Sequence, residues 1–175
     1  STPPCVEGPC DNGVDDDGNG LFLEDGDNDG LPDAAGIGML LLSVNNAGTD
    51  SGNGASYSPS IDSPGDFAAF ASDATDLVDA GDLGGVDGNG VTDVFVREIG
   101  VNTNRASLDD ADNELAGAST NPGLSGDGRY VSFQTSVAAD AVNDTNIVSD
   151  IYVRDTGSLP TPTTFLASTD NALPG

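Results

Sequence analysis

The chain runs to 175 residues, with 30 Asp and Glu against four Arg, no Lys and no His, for a formal net charge of −26. Such a surface repels nucleic acid and anionic membrane, no apolar run reaches the length of a bilayer span, and without His or Lys the usual general bases are missing. Hydrophobic residues make up 36% and aromatics 5%, with no Trp, so the core is lean and bound metal is expected to contribute to folding.

Residues 1–36 form an Asp-rich segment. Its two cysteines, Cys5 and Cys10, sit close together, and with no His and no second Cys pair they do not suggest zinc. A local disulfide in an exported protein, or a disulfide to another chain, accounts for them; the closed loop is short, so its entropic contribution is modest. No basic stretch followed by an apolar one opens the chain, so any signal peptide is expected to be gone already. The acids, 26 of 30 being Asp, alternate with Gly and Asn, as in Asp15-Asp16-Asp17-Gly18-Asn19-Gly20 and Asp25-Gly26-Asp27-Asn28-Asp29-Gly30. Carboxylates at alternate positions of a tight loop converge on one hard cation, and Gly permits the turn that lets backbone carbonyls join them. The expected cofactor is Ca2+. Asp15, Asp17 and Asn19, followed by Gly20, match the first half of an EF-hand loop; the twelfth position is Gly26 rather than Glu, leaving Asp25 or Glu24 as the late carboxylate. Asp25, Asp27, Asp29 and Asp33 offer a second site. Leu21-Phe22-Leu23 want burial, which argues against a disordered acidic leader.

The next stretch, 37–55, reads as a spare strand over 38–45, containing Met39-Leu40-Leu41-Leu42, and a linker. Two repeats follow, in 56–110 and 111–175. Asp93-Val94-Phe95-Val96-Arg97-Glu98 returns 57 residues later as Asp150-Ile151-Tyr152-Val153-Arg154-Asp155, and Ser58-Pro59-Ser60-Ile61 returns 63 residues later as Asn121-Pro122-Gly123-Leu124. The difference is an Asp- and Gly-rich insertion at 79–86. Leu42-Ser43-Val44, Ala106-Ser107-Leu108 and Ala167-Ser168-Thr169 form a third recurring element. Each repeat contains four short strands: Ser60-Ile61, Phe67–Ser72, Asp93–Glu98 and Arg105–Leu108, then Gly123-Leu124, Tyr130–Thr135, Asp150–Asp155 and Phe165–Ser168. Ile151 and Val153 share one face, Tyr152 and Arg154 the other. Short strands set off by Gly, Asn, Asp and Pro turns make the chain all-β, with two four-stranded antiparallel repeats. Phe67, Phe70, Ala74 and Leu77 also fit a helix over 66–79, but Tyr130–Phe133, their counterpart, favours strand. Phe67, Phe70, Tyr130, Phe133, Ile151 and Val153 are the expected core.

Across about 40–175 the repeats resemble the blades of bacterial TolB-like, WD-type β-propellers, on Gly52-Asn53-Gly54-Ala55-Ser56-Tyr57-Ser58-Pro59-Ser60-Ile61, Ser125-Gly126-Asp127-Gly128-Arg129-Tyr130-Val131-Ser132-Phe133, and Asp144-Thr145-Asn146 before Asp150–Asp155. The first copy departs from the pattern, with Asp62-Ser63-Pro64-Gly65-Asp66 at the turn. Propellers close with about four to eight blades. Two blades imply a piece of a longer protein or the cooperation of several chains. The spare strand would complete a neighbour's blade by strand addition, and a head-to-tail joint that does not close gives a filament. The segment Cys10-Asp11-Asn12-Gly13-Val14-Asp15-Asp16-Asp17 is similar to a calcium motif of bacterial surface proteins, though the further Cys common there is missing; it adds Asp11 to the ligands. Asp25–Asp33 resembles a thrombospondin type 3 calcium repeat.

In the repeats, Asp87-x-Asn89-x-x-x-Asp93 and Asp144-x-Asn146-x-x-x-Asp150 share one spacing. Either each holds a metal ion, or Asp and Asn cap a turn with their own side chains. Asp127 reads as a turn residue, and Arg97 and Arg154 as structural partners of neighbouring carboxylates. No Gly-x-Ser-x-Gly elbow is present and no Gly-rich loop is paired with a basic residue, so no enzyme chemistry is expected. The sequence thus suggests an extracellular or cell-surface structural protein whose partners are other copies of itself. A fragment of a propeller that binds a cell-surface protein or glycan is the alternative.

Overall fold

The computed structural model describes residues 40–45, 48, 50–81, 85–146, 148–157 and 163–169. All of the regular structure there is β-strand, and it lies in the unit Leu41–Gly175. Sheet 1 is an antiparallel meander of β1 (Ser56–Ile61), β2 (Phe67–Ser72), β3 (Asp93–Glu98) and β4 (Asn102–Arg105). Sheet 2 repeats it with β5 (Ser119–Leu124), β6 (Tyr130–Thr135), β7 (Asp150–Asp155) and β8 (Thr163–Leu166). The second and third strands of each repeat match the sequence reading residue for residue. The first strands start earlier than expected and the fourth strands are displaced toward the N-terminus. The helix considered for 66–79 is replaced by β2, whose six residues pair in full register with β3.

The repeats share local detail. The register of β1 on β2 slips between Tyr57 and Ser60, and that of β5 on β6 between Thr120 and Gly123. At both slips a non-Gly residue before Pro adopts the left-handed region, Ser58 at φ 54° and Asn121 at φ 53°. Such a conformation is uncommon without Gly and marks a built-in bulge. Gly128, at φ 73°, turns β5 into β6, and a Cβ there would lie 2.5 Å from the Phe67 ring.

The sheets pack face to face. The Val94 face of sheet 1 (Ala69, Ala71, Val94 and Val96) meets the Tyr152 face of sheet 2 (Val131, Phe133 and Tyr152), with Ala106, Leu115 and Ala139 completing the cluster. Each fully buried Val or Phe contributes about 1.5–3 kcal/mol, so this shared core is what ties the repeats into one body. Hydrogen bonds reinforce it, from Ser119 N to Thr92 O at 2.8 Å and from Ser63 N to Gly126 O at 3.0 Å. A smaller cluster, Phe70, Ala74, Leu77, Val78 and Phe95, covers the opposite face of sheet 1. Phe70 stacks on Phe95 at 6.0 Å, and Phe133 on Tyr152 at 5.9 Å in the matching place.

The expected core is partly corrected. Phe70 and Phe133 are buried, but Tyr130 is 36% and Ile151 41% exposed, and Tyr152 is the buried hydrophobic residue of β7. β7 turns its Tyr and Arg inward because repeat 1 lies on that side. Of the spare strand, 38 and 39 lie outside the described residues, and 40–45 makes a single bridge, Val44 to Ser51.

Candidate metal centre

Asp93 opens β3 on the Phe95 face, and the loop before it returns Asp87 to its side. The turn is held by side chains: Asp87 Oδ1 accepts from the Asn89 and Gly90 amides at 3.1 and 2.9 Å, and Asn89 Oδ1 accepts from Val91 N at 2.7 Å. Asn89 Nδ2 donates to Leu115 O at 2.7 Å, so Asn89 is committed to structure. The turn-capping role of Asp and Asn is therefore real for one oxygen of each.

The other Asp87 oxygen is free for something else. Asp87, Asp93 and Glu114 bring carboxylate oxygens within 4.8 Å of one another. Oδ2 of Asp87 and Oδ2 of Asp93 are both buried without a hydrogen bond. Asp93 is 0% exposed, and its Oδ1 accepts from Ser107 Oγ at 2.7 Å. Glu114 arrives from the connector after β4, accepting from Gly88 N at 3.1 Å through both oxygens. Arg105, fully buried over the Phe95 ring, pairs with Asp93 at 3.3 Å and Glu114 at 2.7 Å. Three carboxylates and one guanidinium leave a local formal charge of about −2, with oxygen donors throughout. That charge and donor set fit a hard divalent cation, which Asp87, Asp93 and Glu114 would hold.

Repeat 2 solves the same position differently. Asp144 Oδ1 accepts from Asn146 N at 3.1 Å, and its Oδ2 accepts the buried Tyr152 hydroxyl. Asp150 Oδ1 accepts from Ser168 Oγ at 2.7 Å, while its Oδ2 is buried without a hydrogen bond. Leu166 stands opposite Tyr152 where Arg105 stands opposite Phe95. Burial and the bond to Asp144 push the Tyr152 phenol up, so it stays a donor. With one Asp144 oxygen taken by that hydroxyl and the other by the turn, Asp144, Asn146 and Asp150 do not make the open cluster that repeat 1 has.

Glu114 and Arg105 were not anticipated from the sequence. Leu166 at the place of Arg105 leaves no repeat signal to find it by, and Glu114 sits in a connector. Asp127 is a turn residue as expected, accepting from Ser125 Oγ and Arg129 N. Arg154 pairs with Asp112, but Arg97 is corrected: its partner is the Thr103 hydroxyl at 2.8 Å. The candidate ligands Asp11, Asp15, Asp17, Asn19, Glu24, Asp25, Asp27, Asp29 and Asp33, with Cys5 and Cys10, lie outside the described residues.

Burial pushes the Asp93 carboxyl up to about 6, outweighing the pull of Arg105 and Ser107, with Asp87 and Glu114 adding to the rise. The folded state therefore holds this proton where the unfolded chain has released it. The stability from this group is present below about pH 4 and is lost as pH rises through 6. In chelator, wild type is expected to gain roughly 2 kcal/mol over Asp93→Asn between pH 7 and pH 4.5. Urea titrations at both pH values measure this, and a constant difference between the two proteins would refute it. Searches of family models, of curated proteins and of solved structures find no match to this chain.

Proposed function

We propose that this chain is a secreted, non-enzymatic, calcium-stabilised structural protein that self-assembles into an extracellular filament or surface layer by adding a strand of one copy to the sheet of the next. The observation that carries this reading is a further copy, without a blade of its own, of the segment that follows each fourth strand. Leu42-Ser43-Val44 stands at the repeat position of Ala106-Ser107-Leu108, and Val44 bridges Ser51 as Leu108 bridges Glu114. In a neighbouring copy the equivalent place is that of Ala167-Ser168-Thr169, which follows β8 and bonds Ile151 O. Calcium's part is supported by the cluster of Asp87, Asp93 and Glu114 with its two buried oxygens that accept no hydrogen bond, in a chain whose charge of −26 resists compaction and close approach of copies.

Particle size by light scattering and electron microscopy, with and without calcium, tests this. Chelator is expected to take assemblies apart and re-added calcium to restore them; particles unchanged after exhaustive chelation would count against the reading. A fragment of a β-propeller that binds a protein or glycan is the second reading. It is favoured by β5 packing against β1, β2 and β3 as adjacent blades do, and by a cavity of about 440 Å3 between the repeats lined by Phe67, Val96, Glu98, Asp127 and Arg129. It requires a longer natural chain with further copies of the repeat, which the length of the encoding gene decides.

A further inference from the structure

The surface that repeat 2 covers on repeat 1 recurs on repeat 2 with nothing over it among the described residues. Ala69, Ala71, Val94, Val96 and Ala106 are between 0 and 6% exposed. Their counterparts by register are Ser132, Gln134, Ile151, Val153 and Ala167. Of these Ile151 is 41% exposed, Ala167 is exposed, and Phe165, which stands where repeat 1 has Asn104, is 44% exposed. The backbone under them is the same: Ala106 N donates to Val94 O at 2.7 Å, and Ala167 N to Ile151 O at 2.8 Å.

The opposite end of the body shows the complementary half. Leu124 of repeat 2 packs into the shared core, whereas its counterpart Ile61 is 60% exposed. Arg154 reaches out of sheet 2 to the connector between the repeats, pairing with Asp112 and donating to Asp109 O at 3.3 Å. Its counterpart Arg97 has no ion pair among the described residues and is only half-buried.

We propose that the Ile151 face of sheet 2 is the docking surface for a second copy of this chain, which presents there the Ile61 and Arg97 end of its sheet 1, the Phe95 centre of that side being already covered by its own Ala74, Leu77 and Val78. This deepens the self-assembly reading and rests on it. The occupant follows from the two ends being halves of a joint that the chain already builds once internally. Ile61 of the incoming copy takes the place of Leu124, against Ile151 and Val153. The sequence after β8, Thr169-Asp170-Asn171-Ala172, repeats Leu108-Asp109-Asp110-Ala111, the connector that Arg154 grips, with the same first acid. The two surfaces are different, so the joint is heterologous and propagates.

Ile151→Asp and Ile61→Asp block one end each. Both side chains are exposed, so the fold is expected to tolerate either change, checked by circular dichroism and urea midpoint. In sedimentation velocity with calcium, wild type is expected to form species beyond the dimer, and each variant alone to run at one chain mass. An equimolar mixture is expected to give two chain masses and stop there, because each variant keeps the end the other has lost. Variants that assemble like wild type, or a mixture that stays monomeric, overturn the docking face while leaving self-assembly through another surface open. Wild type that remains monomeric in calcium overturns both. Assemblies lost in both variants but resistant to chelator uphold the face and remove calcium from the reading.

Discussion

Arg105→Leu is expected to lower the unfolding free energy by about 3–5 kcal/mol in chelator, because removing one partner of a buried ion pair leaves an uncompensated charge behind. The charge left behind is Asp93, 0% exposed, with only Ser107 as a hydrogen-bond partner, and beside it Glu114. Leu166, at the same position in repeat 2, shows that Leu fits the strand. What repeat 2 has in addition is a Tyr in place of Phe95, whose hydroxyl satisfies Asp144. Adding Phe95→Tyr to Arg105→Leu is therefore expected to recover about 1.5–3 kcal/mol through a bond to Asp87, the size of a hydrogen bond to a charged group. Calcium separates a metal site from a structural knot. Without Arg105 the cluster carries about one more negative charge, so calcium binding tightens and the cost of Arg105→Leu shrinks as calcium rises. Urea unfolding at pH 7 across a calcium series reads both effects. A loss of stability that calcium leaves untouched would mean that Asp87, Asp93 and Glu114 serve packing alone.

How much of this was written in the sequence depends on the strand. β2, β3, β6 and β7 were legible to the residue, because each is a run of apolar, aromatic and β-branched residues bounded by turn residues. β4 was misplaced because Asn102-Thr103-Asn104-Arg105 is polar on both faces; Thr103 and Arg105 are buried through partners, not through hydrophobicity. β1 and β5 were cut short because Pro59 and Pro122 read as turns, whereas they lie within bulged strands. The inversion of β7 has the same root: Ile and Val outrank Tyr and Arg by hydropathy, yet burial is set by what lies opposite. In the site, the spacing of Asp87, Asn89 and Asp93 was visible as a repeat. Glu114 and Arg105 were not, since both belong to one repeat only.

Arg154→Ala is expected to cost about 3–4 kcal/mol, and Arg97→Ala less than about 1 kcal/mol, though the two arginines hold the same place in their strands. Arg154 is 0% exposed and knits three pieces of chain: it pairs with Asp112, donates to Asp109 O, and donates to Thr164 Oγ1 at 2.9 Å, which in turn donates to Leu108 O at 2.8 Å. Its removal opens a cavity between the repeats and strips the 109–113 connector of its cation. Asp112 is 33% exposed along its side chain and can rehydrate, which keeps the loss below that of a fully buried pair. Among the described residues Arg97 makes the matching bond to Thr103 and no other, because the place of the connector lies at the open end of sheet 1. The contrast is a measurement of what a neighbouring repeat adds to one arginine, and it is expected only while the protein is monomeric. Under conditions that assemble the chain, Arg97 gains the surroundings Arg154 already has, and Arg97→Ala is expected to weaken assembly while leaving the monomer's urea midpoint nearly unchanged. Equal costs for the two substitutions in the monomer would show that the repeats do not differ in the way their buried partners imply.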